Sequence, residues 1–126
     1  MRYLSVAEVL AIHDYQIQRF GGTGGVLNLS LLESAVSRPE TNISGMDMYI
    51  SAFEKAAVFA YSLTKNHPFL DANKRTGLHS ALTFLELNGV KLDITSEQLV
   101  KLGLGVAEGK ITLDEITSFF AQPRLK

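Results

Sequence analysis

Apolar positions recur at intervals of three and four along most of this chain, and the runs open on residues suited to capping a helix. Val9, Ile12, Ile17 and Phe20 make one stripe after Ser5, where Glu8 is spaced to close a reciprocal capping box, and Gly21-Gly22 offer an αL closure. The same Ser/Thr-x-x-Glu/Gln spacing stands at Ser30 with Glu33, Thr95 with Gln98 and Thr112 with Glu115. Leu4 with Val9 and Ile111 with Ile116 add hydrophobic staples at two of these starts. A short second helix is predicted from about Ser30 to Arg38, stopped by Pro39. Residues 40–48 have no periodicity and contain turn formers, which predicts a surface loop or short extended flap.

From about Asp47 to Lys65 the series Ile50, Phe53, Ala56, Ala57, Ala60, Tyr61 and Thr64 predicts a central buried helix, its alanines permitting close packing. Pro68 breaks that pattern. A further helix begins near Asn73, carries Leu78, Ala81, Leu82 and Leu85, and ends at Asn88-Gly89. Val90, Leu92 and Ile94 alternate with Lys91 and Asp93 as a short extended connector, and helices over Ser96–Ala107 and Leu113–Ala121 follow. The prediction is an all-α, single-domain bundle of about six helices over residues 1–126, with a flap before the central helix.

Composition narrows the function. Hydrophobic residues make up 46% and charged residues 20% of the 126, enough apolar surface for a folded core and too much for a disordered chain. Twelve Lys and Arg against thirteen Asp and Glu leave a formal charge of -1, without the basic excess that direct nucleic-acid binding exploits. There is no cysteine, which removes disulfides, thiolate metal sites and cysteine nucleophiles. No run of about 18 apolar residues exists to span a membrane and no signal-peptide pattern opens the chain, so a cytoplasmic protein is expected.

Chemistry concentrates between His67 and Gly77, where an imidazole, a carboxylate, an amide, an ammonium and a guanidinium fall within nine residues. A helix start over Asp71, Ala72, Asn73, Lys74 and Arg75 presents free N–H groups and the positive end of the helix dipole, which suits phosphate. Lys74 adds a point charge and Arg75 a planar fork for two phosphate oxygens. Asp71 would repel bare phosphate but suits Mg2+ bridging two phosphates. His67, one short loop upstream, is placed to take the proton of an incoming hydroxyl as a general base. Pro68 and Phe69 read as scaffold, the proline setting the turn and the ring pinning the loop to the core. Taken singly, each residue also fits an ordinary helix start; the conjunction is what points to chemistry.

His67-x-Phe69-x-Asp71-Ala72-Asn73-x-Arg75 resembles the signature of the Fic/Doc family, H-x-F-x-[D/E]-[A/G]-N-x-R, at every fixed position. Leu4-Ser5-x-x-Glu8-Val9-x-x-Ile12-His13, Phe20-Gly21-Gly22 and Leu31-Leu32-Glu33-Ser34-Ala35 resemble its Doc-type (death-on-curing) toxin branch. The resemblance implies an all-helical fold, with His67 as base, Asp71 on Mg2+, Asn73 and Arg75 on the phosphates of ATP, and Gly77 within the motif scaffold. Adenylylating members carry glycine after the asparagine and a second arginine; here Lys74 and Leu78 stand at those places, as in the Doc branch. The implied reaction is therefore transfer of the γ-phosphate to a hydroxyl, with elongation factor Tu as the implied target and arrested translation as the outcome.

A family brake, [S/T]-x-x-x-E-[G/N], is absent: the one Glu followed by Gly or Asn is Glu108, and Leu104 stands where Ser or Thr is needed. An antitoxin supplying an inhibitory helix in trans is implied, and Ile43, Ser44, Gly45 and Met46 correspond to a flap that aligns the target. Transfer of AMP, or a non-catalytic binding or co-repressor module, are the alternative functions. Gly21-Gly-Thr-Gly-Gly25 lacks the Lys-Ser/Thr ending of a phosphate loop and reads as a turn. His13-Asp14 lacks the upstream histidine of an HD phosphohydrolase, leaving His13 and His79 as structural or surface residues.

Overall fold

Six helices account for most of residues 1–122, the part of the chain described in a computed structural model. They are α1 (Val6–Phe20), α2 (Leu29–Ser37), α3 (Ala52–Asn66), α4 (Asn73–Leu87), α5 (Ser96–Ala107) and α6 (Leu113–Ala121). A 3-10 turn, Arg38–Glu40, extends α2, and strands β1 (Asn42–Ile43) and β2 (Met46–Asp47) form a small antiparallel hairpin. The chain is all-α in class, and no helix among the described residues is long and apolar enough to cross a membrane.

The caps explain most of the boundaries. Ser5 with Glu8, Thr95 with Gln98 and Thr112 with Glu115 form both reciprocal bonds of the capping box. The box expected at Ser30 and Glu33 does not form. Leu27 and Asn28 both donate their N–H to the Pro68 carbonyl, which holds Asn28 extended, and its side chain caps α2 through the Leu31 N–H. Pro39 does not stop the chain abruptly either; it sits at the first turn of the 3-10 extension, where its missing N–H costs nothing. Gly21 has the positive φ expected after α1, but its ψ of 173° carries the chain outward instead of into αL.

The central helix starts later than its periodicity suggests. The hairpin takes up residues 42–47, and Ser51 with Glu54 builds a fourth capping box just after it. Ile50 is therefore outside the helix and 73% exposed, whereas Tyr49 is buried. Phe20, counted in the apolar stripe of α1, is also exposed at 62%; the buried positions of that helix are Val9, His13 and Gln16. Ser44 and Gly45 both have positive φ, as a two-residue hairpin turn requires. Below the hairpin lies the buried Lys55, whose ammonium donates to the Pro39 carbonyl at 3.2 Å and lies 3.5 Å from the Asp47 carboxylate. Its charge also faces the Tyr3 ring, 5.2 Å from the centroid.

The core forms around α3, which packs along α4 more extensively than any other pair, with α6 and α2 on its other sides and α1 and α5 against α4. Ala56, Ala60, Leu63, Ala81 and Phe84 are fully buried here. Small residues set the approach of α3 and α4. A Cβ on Gly77 would stand 3.0 Å from both the Ala60 carbonyl oxygen and Thr64 Oγ1. Gly77→Ala is expected to lower unfolding free energy by about 1–2 kcal/mol, since crowding outweighs the helix propensity gained. Gly24→Ala, with nothing within 4 Å of a new Cβ, serves as the near-neutral control in the same urea titration.

Candidate active site

The segment between α3 and α4 is a short loop bracketed by two left-handed residues. His67 ends α3 at φ 50°, ψ 53°, and Ala72 precedes α4 at φ 64°, ψ 27°. Non-glycine residues occupy αL at a cost of roughly 1–2 kcal/mol each, so other bonds must hold the loop in place. Asn73 supplies two: its Oδ1 accepts from the Phe69 N–H at 2.9 Å and its Nδ2 donates to the Phe69 carbonyl at 3.0 Å. Phe69 is fully buried and Pro68 is buried beside it.

The turn after α1 straps this loop from outside. Leu27 and Asn28 bond the Pro68 carbonyl, Leu70 donates to the Gly25 carbonyl, and Val26 pairs with Phe69 as an isolated antiparallel bridge. Gly21-Gly-Thr-Gly-Gly25 is thus a turn, as its sequence indicates, but one pressed against the motif. A Cβ on Gly22 would stand 2.7 Å from Asp71 Oδ2, so glycine is needed for that close approach.

A cavity of about 490 Å³ gathers His67, Leu70 and every residue from Asp71 to Arg75, with Thr64 and Ala107 on its walls. His67 is exposed, and among the described residues nothing hydrogen-bonds its ring. Lys74 is also exposed. Ala72 gives no side-chain cap, which leaves N–H groups at the start of α4 free for an anion.

Asp71 is exposed, and both of its carboxylate oxygens are oriented by backbone: Thr23 N–H donates to Oδ2 at 3.2 Å and Ala72 N–H to Oδ1 at 2.8 Å. These bonds, Thr23 first, hold its pKa below the ordinary aspartate value, and the charge of Arg75 lowers it further. Among the described residues no group of three or more His, Cys, Asp or Glu could hold a metal by itself. A single oriented carboxylate beside two cations fits Mg2+ that arrives with phosphate oxygens completing its shell.

Two expected phosphate ligands have other partners in this structure. The Asn73 amide is buried and bonded to Phe69 through both its oxygen and its nitrogen, so its side chain shapes the loop that walls the cavity. The Arg75 guanidinium donates to the Gln16 carbonyl at 3.3 Å and the Gly21 carbonyl at 3.0 Å, docking on the end of α1 while still lining the cavity. Ile43, Ser44, Gly45 and Met46 form the exposed tip of the hairpin and are not among the cavity's lining residues. Sequence reading missed Thr23 and Gly22. It also left His13 as a structural or surface residue, and the structure buries its ring beneath the loop.

The model of the Fic/DOC family matches residues 3–85. "Protein kinase doc" of Escherichia phage P1 is 35% identical over 116 residues, covering 92% of this chain and 90% of that protein. "Toxin Doc" of Mycolicibacterium smegmatis is 39% identical over 104 residues, covering 81% and 80% respectively.

The origin of the Asp71 shift is open to measurement. Because the folded pKa lies below the unfolded one, this group's contribution to stability is present above the ordinary aspartate value and is lost as pH falls through the lower folded value. A carboxyl-carbon NMR titration is expected to place Asp71 below its unfolded reference. Raising salt to about 0.5 M should leave most of the shift in place, because backbone hydrogen bonds, unlike the Arg75 charge, are not screened. Collapse of the shift in salt would assign it to Arg75 instead.

Proposed function

Since the chain belongs to the Fic/DOC family, we propose that it is a Doc-like toxin that moves the γ-phosphate of ATP to a Thr or Ser hydroxyl of a translation factor, elongation factor Tu being the expected target. The observation that carries this reading is the single cavity that joins an exposed imidazole, unpartnered among the described residues, to a cationic helix start and one oriented carboxylate. The names borne by the two relatives, one a protein kinase and one a toxin, support the same reading.

His67 takes the hydroxyl proton as the substrate oxygen attacks the γ-phosphorus; the bond from that phosphorus to the bridging oxygen breaks, and ADP leaves. Lys74, Arg75 and the free N–H groups of α4 hold phosphate oxygens, and Asp71 holds the magnesium that accompanies the nucleotide. Mg2+ held at Asp71 would supply charge neutralisation for the phosphates. Leu78, where adenylylating members place a second arginine, is 7% exposed and lies against Gly103, leaving Arg75 as the sole guanidinium lining the cavity among the described residues. That supports phosphate transfer over AMP transfer.

A groove beside the site offers a seat for an antitoxin helix. A second cavity of about 460 Å³ between α1, α4 and α5 shares Lys74 and Arg75 with the first and is walled by Phe20, Leu78, Leu99, Val100 and Leu104. Gln16 lines it too, and its buried side-chain oxygen lacks a partner among the described residues. Half-buried His79 also lines the groove; burial, and secondarily the charge of Arg75, lowers its pKa, so it presents a neutral ring at pH 7. A helix seated there would cover the Lys74–Arg75 end of the site.

Purified protein with ATP, Mg2+ and elongation factor Tu is expected to add about 80 Da to the target, where AMP would add about 329 Da. His67→Ala should reduce transfer by about 10²-fold or more while nucleotide binding persists. No added mass on the target in the presence of folded wild-type protein would count against the assignment, and loss of nucleotide binding in the variant would remove His67 from the role of base.

A further inference from the structure

His13 lies outside the motif, 58 residues before Asp71, and is 1% exposed. Its Nε2 is 2.9 Å from the Asp71 carbonyl oxygen, and because a carbonyl only accepts, that nitrogen carries the hydrogen. Its ring lies flat on Phe69, with centroids 3.8 Å apart and planes 8° from parallel. One side chain of α1 therefore grips both residues that flank Leu70. Phe69 is also the residue whose backbone takes both Asn73 bonds. The peptide whose carbonyl His13 holds is the one whose N–H, from Ala72, donates to Asp71 Oδ1. Fixing the plane of that peptide fixes the direction of the carboxylate, and it does so at the strained αL residue where the loop has most reason to relax.

Resting on the transfer reaction proposed above, we propose that His13 is a positioning residue of the site, setting the Asp71–Ala72 peptide so that the Asp71 carboxylate meets the metal–nucleotide complex in one orientation. Outer partners of this kind typically change metal affinity by about 10- to 100-fold when removed. Simple core filling makes a different demand: a ring of similar size would then replace the histidine without loss at the carboxylate.

Two variants separate the bond from the ring. His13→Phe keeps an aromatic face for Phe69 and loses the donor; His13→Gln keeps a donor near the Nε2 position and loses the face. Binding is read by electron paramagnetic resonance with Mn2+ and a non-hydrolysable ATP analogue, beside thermal unfolding of each variant. The expected result is about a tenfold weaker Mn2+–nucleotide affinity in His13→Phe and recovery to within a few-fold in His13→Gln, whichever variant unfolds first. Wild-type affinity in His13→Phe, or equal loss in both variants, would overturn the proposal.

Should neither variant fold, long-range ¹H–¹⁵N spectra of the wild-type ring decide. An Nε2-protonated tautomer whose signal moves when Mg2+ and the analogue are added supports the role. An Nδ1-protonated ring, or an unmoved signal, overturns it. If wild-type protein leaves elongation factor Tu unphosphorylated, the reaction assignment falls, while the Mn2+ measurement still judges His13.

Discussion

The bidentate grip of the Asn73 amide on the Phe69 backbone is the constraint on which the site depends. It closes a short loop whose two ends sit in left-handed conformations that neither His67 nor Ala72 favours alone. With the loop closed, α3 ends on an exposed His67 cap and α4 begins with its N–H groups uncovered. Remove the clasp and the two helices could still pack, but imidazole and carboxylate would no longer share a cavity. The asparagine expected at the ligand acts here on the architecture around it.

The bundle supplies the rigidity that this loop lacks. α3 and α4 approach closely through Ala56, Ala60, Gly77 and Ala81, so the two ends of the loop are set by well-packed helices. α1 contributes from the far side, through the His13 ring beneath the loop and the carbonyls of Gln16 and Gly21 that receive Arg75. The strap of residues 21–28 covers the remaining flank through its own backbone groups. Its glycines permit that intimacy, most plainly at Gly22, where any side chain would collide with Asp71.

What the sequence makes legible follows from distance along the chain. Three reciprocal caps are local signals and place α1, α5 and α6 correctly, and the motif is contiguous, so its residues stand out together. α2 takes a different cap and α3 a later start than expected because both answer to tertiary demands: the Pro68 carbonyl holds Asn28 extended, and the hairpin displaces the start of α3 to Ser51. The partners of the motif are hidden for the same reason. His13, Thr23 and Gln16 lie 48 to 59 residues from the groups they bond, and no periodicity joins them. Arg75 and Asn73 carry the chemistry of phosphate ligands in sequence, whereas their bonds here depend on which carbonyls the fold brings near.

The buried Lys55 has a mechanical meaning for the hairpin. Its ammonium is moored to Pro39 on one side and Asp47 on the other, so lifting the root of the hairpin would strand a charge among apolar side chains, at a cost of several kcal/mol. The tip, with exposed Ile43 and Met46 and a two-residue turn, has no such tether. The hairpin is therefore a cantilever, clamped at its base by an internal cation and exposed at its end.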